Sequence, residues 1–367
     1  MKSLYVHIPF CEHKCFYCSF VVSVGQRHRV DEYLDCLARE MAGYKREAVQ
    51  TVYVGGGTPT LMADEQLGRL CGHIRERFNV DKDAEWTVEA NPEGLSEKKL
   101  KVLKAAGVNR ISLGVQTFNG KYLQYLGRNH SARSAMDAYA MVRSAGYTNV
   151  NVDIMFSFPG QTRAEIEEDM NSLITLGSEH ISLYTLTVEE NSRFYARQVS
   201  LDNGQKRAGQ YQLVCGMLDR AGYGQYEISN FAKSVKTSAH NLNYWEGGQY
   251  IGLGVGAHSY VGSVRSWNTA RLREYLARLK SGVPAREGCE KLDPVAQMKE
   301  CLLFGLRMNR GVDLKLLRHK FGCFLSEDQQ REIGDMEAGG FLETEGECLK
   351  ATAKGRLVLD ELCARLI

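Results

Sequence analysis

The sequence predicts an α/β protein: an open, partial (β/α)6 barrel followed by a smaller, mostly helical domain of winged-helix type. Three observations in its 367 residues carry this. Short β-branched or apolar runs alternate with amphipathic helical stretches from Met1 to about Tyr226, and such alternation means βαβ units on a parallel sheet. The alternation stops near Ser229, where Gly, aromatic residues and His take over. Helical patterns resume beyond about Asp293. The expected division is a barrel over 1–228, a Gly- and aromatic-rich extension over 229–290, and a C-terminal domain over 291–367.

In chain order the expected strands are Leu4–Ile8, Thr51–Val54, Glu85–Glu89, Arg110–Val115, Asn151–Phe156, His180–Thr185 and a weaker Tyr226–Ile228. Between them lie helical patterns over Asp31–Tyr44, Asp64–Phe78, Ser96–Ala106, Ser131–Ala145 and Ala164–Leu176, several opening at a capping residue and stopping at Gly107, Gly146 or Gly177. Six such units exceed a flavodoxin-like sheet and fall short of an eight-fold barrel. In parallel β/α folds ligands collect at the carboxyl ends of the strands. The unusual polar residues sit there: Gly55-Gly56-Gly57-Thr58, Glu89-Ala90-Asn91-Pro92-Glu93, Gln116 and Asp153. After the extension come helices over Pro294–Met308, Asp313–Phe321 and Ser326–Ala338, a hairpin around Glu345-Gly346, and a last helix Lys354–Leu366. Basic residues in this domain are interspersed with acids, which favours packing over nucleic-acid binding.

Composition narrows the function classes. With 46 Lys+Arg against 44 Asp+Glu, the net charge of +2 gives no general attraction to nucleic acid or an anionic membrane. No apolar run reaches the roughly 18 residues of a membrane span, and the start turns polar too soon for a signal peptide. The 11 cysteines are an odd number in a long chain, which argues against a disulfide framework and for a reducing, cytoplasmic compartment.

Three of those cysteines crowd together. His7-Ile8-Pro9-Phe10-Cys11-Glu12-His13-Lys14-Cys15-Phe16-Tyr17-Cys18 gives C-x3-C-x2-C on a loop after the first strand. Thiolates at this spacing can converge on zinc, with His7 or His13 as fourth ligand, or on an iron–sulfur cluster. A three-thiolate [4Fe–4S] cluster leaves one iron open, which reads as a working site. Elsewhere, a strand-end carboxylate such as Glu89 or Asp153 can accept from ribose hydroxyls and offset a cation, or simply cap the next helix.

Cys11, Cys15 and Cys18 in this spacing resemble the radical S-adenosylmethionine (SAM) superfamily. Further along, Tyr5-x-His7-Ile8-Pro9-Phe10-Cys11, Gly55-Gly56-Gly57-Thr58-Pro59, Glu89-x-Asn91-Pro92-Glu93 and Ser112-x-Gly114-Val115-Gln116-x-Phe118 resemble the group of oxygen-independent coproporphyrinogen dehydrogenases and haem chaperones. Pro159-Gly160-Gln161-Thr162 and Glu227-Ile228-Ser229-Asn230-Phe231-Ala232 do so too, and the likeness runs essentially from end to end. The resemblance implies a [4Fe–4S] cluster on the three cysteines, with SAM chelating the fourth iron. It also implies SAM contacts from Tyr5, Tyr17, Gly56, Gly57, Thr58, Glu89, Gln116, Arg128, Asp153 and Thr187. Arg128, with its planar fork, is expected to pair with a carboxylate.

Two stretches divide the group. The dehydrogenase pattern continues to a fourth cysteine, where this chain has Cys18-Ser19-Phe20. His240-Asn241-Leu242-Asn243-Tyr244-Trp245 resembles the HNxxYW motif of the haem chaperones, with His240 as an axial ligand and Tyr244 and Trp245 as porphyrin surfaces, or else a buried His in aromatic packing. His258 is a second possible ligand. A haem chaperone is the favoured reading, with partners in haem, an acceptor protein and, if SAM is cleaved, a flavodoxin- or ferredoxin-type electron donor. The alternatives are SAM-dependent decarboxylation of coproporphyrinogen III, anaerobic haem degradation, and a zinc-bound scaffold without redox work. Against the group's usual pattern, Ser157 and Phe158 precede Pro159-Gly160, which places bulk near the expected barrel mouth.

Overall fold

A computed structural model describes residues 2–366. Six strands, β1 (Lys2–Ile8), β2 (Ala48–Gly56), β3 (Asn79–Ala90), β4 (Arg110–Gln116), β5 (Val150–Phe156) and β6 (His180–Thr185), run parallel in sequence order, as the alternation predicts. The helices between them, Val30–Met41, Asp64–Arg77, Glu97–Ala105, Ala132–Ser144 and Arg163–Leu176, pack on the outer face, where Leu4, Val6 and Ile8 of β1 are fully buried. Caps fix their ends. Thr162 and Glu165 form a reciprocal box at the last helix, and Gly177 ends it in the left-handed region at φ 71°.

The sheet does not stop at six strands. The weak seventh strand expected at Tyr226–Ile228 divides: β7 (Gly224–Gln225) and β8 (Asn230–Ala232) flank it as an antiparallel hairpin against β6, while Glu227 bridges to Met308. On the other side β9 (Gln249–Leu253) pairs parallel with β1, and β10 (His258–Val261), β11 (Val264–Asn268) and β12 (Arg286–Lys291) continue outward antiparallel. The resulting order is β12-β11-β10-β9-β1-β2-β3-β4-β5-β6-β8-β7. Residues 229–290 thus complete the first sheet, and Ile251, Leu253, Val255 and Tyr275 join its main core. The sequence shows little helical period over Asn230–Trp267, yet a seven-residue helix, Ala239–Trp245, forms there with Ser238 as its cap.

The C-terminal residues have their own core around Leu302, Leu306, Met336, Leu349 and Leu362. Helices Pro294–Arg307, Leu314–Phe321 and Glu327–Ala338 surround a small three-stranded sheet that includes the hairpin Leu342–Glu345 and Cys348–Ala351. The expected last helix breaks into Ala353–Arg356 and Leu359–Arg365. No helix among the described residues is long and apolar enough to cross a membrane.

Candidate functional site

Interior side chains alternate along each strand, so β1 turns Ser3, Tyr5 and His7 inward, and the last inward positions meet at the carboxyl ends. The loop after β1 is pinned there by backbone. Gly57 donates its N–H to Ile8 O at 2.8 Å and Thr58 to Phe10 O at 2.8 Å. A Cβ on Gly57 would stand 2.7 Å from Phe10 O, so glycine is needed for this approach. Gly56 takes φ +109° with its Cα hydrogens facing the His7 ring, where a Cβ would lie 2.4 Å from Cε1. His7 holds the returning loop through Nε2 and Val21 O (2.8 Å), and its Nδ1 meets Tyr5 OH at 3.0 Å.

An open cleft with about 1230 Å³ of atom-free space results. It gathers Cys11, Cys15, Cys18, Tyr17, Gly56, Gly57, Thr58, Glu89, Gln116, Arg128 and Asp153 on one wall or another. Tyr5 does not line the cleft but sits a layer below, bonded to His7. Thr187 lies past the end of β6 on the exposed surface, and the cleft is lined by Tyr184 of that strand instead. Phe158 is not at the mouth either: it is fully buried and stacks on Tyr122 with centroids 4.7 Å apart, while Ser157 Oγ bonds Gln210 at 2.6 Å. The bulk expected at the barrel mouth goes into a side cluster with Leu126, Leu186 and Phe194.

Arg128 is more than nine-tenths buried and donates from Nη2 to Asn91 Oδ1 and Gly114 O, both at 2.9 Å. Nη1 points at Cys15 Sγ (3.6 Å), and the expected carboxylate, Glu93, stands 3.6 Å away without a bidentate contact. Burial pushes the Cys15 thiol up, but a hydrogen bond from His13 and the Arg128 charge outweigh it and bring the thiol below its ordinary value. Burial pushes Cys11 up to about 11 against a hydrogen bond with Thr58, and also raises Cys18. Two desolvated thiols beside a third inclined to ionise make a donor set that a cationic centre would complete. Among the described residues no three His, Cys, Asp or Glu side chains converge closely enough for a single metal ion, whereas a cluster takes each thiolate at a separate iron.

Opposite the cysteines, two carboxylates face the cleft. Glu89 accepts from Tyr53 OH (2.9 Å) and Gly56 N–H (3.0 Å); burial and neighbouring Asp153 raise it to about 7. Asp153 accepts from Asn151 Nδ2 (2.8 Å) and Ser112 Oγ (3.1 Å), and burial raises it too. Among the described residues neither has a cation within salt-bridge distance, Arg110 acting on Asp153 only from farther off, so a cationic ligand would relieve both. Asn91, Ser112, Tyr53 and Tyr184 also line the cleft. Inward alternation in the predicted strands was the signal that could have found the last three.

His240, Tyr244 and Trp245 are not brought to the cleft. Their helix closes the opposite end, under the amino ends of β1–β3, with Glu85 accepting Ala239 N–H (3.1 Å) and His240 N–H (3.0 Å). His240 is 1% exposed. Its Nδ1 meets Thr51 Oγ1 at 2.8 Å, and Thr51 donates to Ser3, so Nδ1 carries the hydrogen and Tyr244 OH donates to Nε2 at 3.1 Å. Burial, assisted by Arg110, drives His240 down to about 3, which keeps the ring neutral. Trp245 packs under the Arg307 guanidinium (4.7 Å) and beside Phe304 of the C-terminal domain.

Comparison with known proteins matches two family models: the radical SAM superfamily over residues 5–173, and the HemN C-terminal domain over residues 292–358. A Bacillus subtilis protein named heme chaperone HemW is 38% identical, over 99% of this chain and 98% of its own. Proteins of the same name from Lactococcus lactis and Mycobacterium tuberculosis are each 34% identical, over 96% and 99% of this chain and 94% of theirs. Among solved structures, the radical SAM coproporphyrinogen III oxidase HemN of Escherichia coli superposes with a TM-score of 0.88, covering 100% of this chain and 89% of that one. At 24% sequence identity that likeness concerns the fold.

Proposed function

This chain belongs to the HemW family of radical SAM proteins, and from that premise we propose that it is a haem chaperone: it holds a [4Fe–4S] cluster, binds SAM beside it, and passes haem to an acceptor protein. The observation carrying the reading is a single cleft that joins three thiols to two buried carboxylates, neither of them in an ion pair among the described residues. Cys11, Cys15 and Cys18 would hold the cluster. When bound, the cluster supplies the electron that cleaves a sulfonium carbon–sulfur bond. The backbone of Gly56 and Gly57 and the Thr58 hydroxyl would receive the amino end of SAM. Glu89 and Asp153 would face its positive and ribose parts, while Gln116, Arg128 and Tyr17 would line the cleft around it. Thr187, outside the cleft, is left without a contact in this arrangement.

The proposal includes a cytoplasmic setting, a flavodoxin- or ferredoxin-type donor where SAM is cleaved, and the three-part division at 228 and 290. Anaerobic reconstitution tests it. The reduced protein is expected to give a [4Fe–4S] paramagnetic resonance signal that shifts on adding SAM, and haem is expected to develop a Soret band. A signal indifferent to SAM overturns SAM binding at the cluster, and zinc without acid-labile sulfide overturns the cluster reading. Formation of protoporphyrinogen from coproporphyrinogen III would replace the chaperone by the decarboxylase.

A further inference from the structure

The haem-binding reading leaves open where haem would sit, and the nine histidines can be sorted by what their rings already do. In His7, His180 and His240 both ring nitrogens are engaged, and buried His130 meets Val115 O and Glu93. Using His240 would break two hydrogen bonds and open the barrel floor. His13 stands against Asn129 and Cys15, within the cysteine loop. His28, His73 and His319 lie on outer helical segments. His258 differs: it is exposed, no hydrogen bond engages either ring nitrogen among the described residues, and its ring stacks on Trp267 at 6.1 Å and 27°.

The surroundings form a flat shelf. His258 pairs with Trp267 across β10 and β11, and Trp267 pairs with Gly288 of β12, where a Cβ would stand 2.4 Å from the indole. On the other side Gly252 of β9 approaches the His258 backbone so closely that a Cβ would lie 1.9 Å from its carbonyl oxygen. In this row the two rings lie between two glycines, which present no side chain of their own. The next row, Tyr260 and Arg265, is already covered, because Tyr260 OH bonds Gln297 (2.9 Å) and Arg265 pairs with Glu300 of the C-terminal domain. The shelf begins beside the cysteine loop, since a Cβ on Gly256 would stand 3.0 Å from Val21. Phe20 there is 67% exposed.

We infer that His258 is the axial ligand through which this protein takes haem, on the shelf it forms with Trp267. The inference rests on the haem-chaperone reading and names the site that reading lacks. A neutral imidazole is a good iron ligand, and a broad indole edge beside it suits a flat, apolar macrocycle. Partial burial, with Arg265 nearby, lowers His258 from its ordinary value and keeps it neutral near pH 7. Haemin titration of the full chain tests this, with folding of each variant checked by circular dichroism. His258→Ala is expected to weaken binding about ten-fold or more and to move the Soret band, and added imidazole is expected to restore the band position. Trp267→Ala is expected to weaken binding without moving the band, and His240→Gln to leave both unchanged. Wild-type titration by His258→Ala, or loss of the band in folded His240→Gln, overturns the inference while the haem reading stands. If the wild-type protein develops no Soret band, the reading falls and takes the inference with it.

Discussion

The two ends of the barrel are built from the same strands and solved in opposite ways. At the amino end, Glu85, Thr51 and His240 meet a helix whose donors and acceptors match theirs, so buried polar groups are satisfied within the protein. At the carboxyl end, Glu89 and Asp153 are buried with hydrogen bonds but, among the described residues, no cation within salt-bridge distance, and two thiols are desolvated in their neutral form. The difference teaches where the fold spends its stability. A closed floor costs little to bury, whereas an open mouth keeps electrostatic work undone until a ligand arrives.

Substitutions can break or sharpen that contrast. The largest effect is expected for Cys15→Ala: near-complete loss of iron and of the SAM-dependent resonance signal, with the thermal midpoint of the metal-free protein almost unchanged. A large drop in that midpoint would mean the mouth carries stability after all. On the floor, His240→Ala removes the donor to Thr51 Oγ1 and the acceptor of Tyr244 OH and is expected to cost about 2–4 kcal/mol in denaturant unfolding. Iron content after reconstitution of the surviving folded protein should stay at the wild-type level. At the mouth again, Glu89→Gln is expected to weaken SAM binding by about 1–3 kcal/mol in calorimetric titration while leaving unfolding within about 1 kcal/mol of wild type.

The smallest effect belongs to neither end but to the seam between the outer helix Val30–Met41 and the 229–290 segment. Glu40 accepts from Tyr275 OH (2.7 Å) and Gly254 N–H (2.9 Å), and burial raises it from 4.5 to about 7. The folded protein therefore keeps a proton that the unfolded chain releases. This contribution to stability is full below about pH 4.5 and is lost as the pH rises to about 7. Glu40→Gln is expected to flatten that part of the melting-temperature profile, and an unchanged profile would remove Glu40 as its cause.

Much of the mouth was legible because local rules govern it. Alternation along β2–β5 points Glu89, Gln116 and Asp153 inward, and Gly56 and Gly57 mark a backbone that must approach closely. Tyr53 and Tyr184 obey the same alternation and were passed over because an aromatic in a strand reads first as core. Thr187 lay beyond the strand end, where no period applies. The floor was not legible. His240 is placed by Thr51 and Glu85, which lie 189 and 155 residues away in the chain, and a seven-residue helix gives too short a period to detect. Nor did residues 249–253 announce β9, since a run of Tyr, Ile and Leu between glycines does not say which strand it will join.

That pairing sets a timetable for biosynthesis. The cysteines leave the ribosome more than 200 residues ahead of residues 249–253, and until those exist to lie along it the strand that carries the cysteines has one flank bare. Tyr33 waits as well, since its hydroxyl donates to His7 O at 2.7 Å and accepts Val255 N–H at 3.1 Å. The thiols thus emerge well before the residues that give them their rigid frame. Iron delivered to the nascent protein before that moment would meet a flexible peptide.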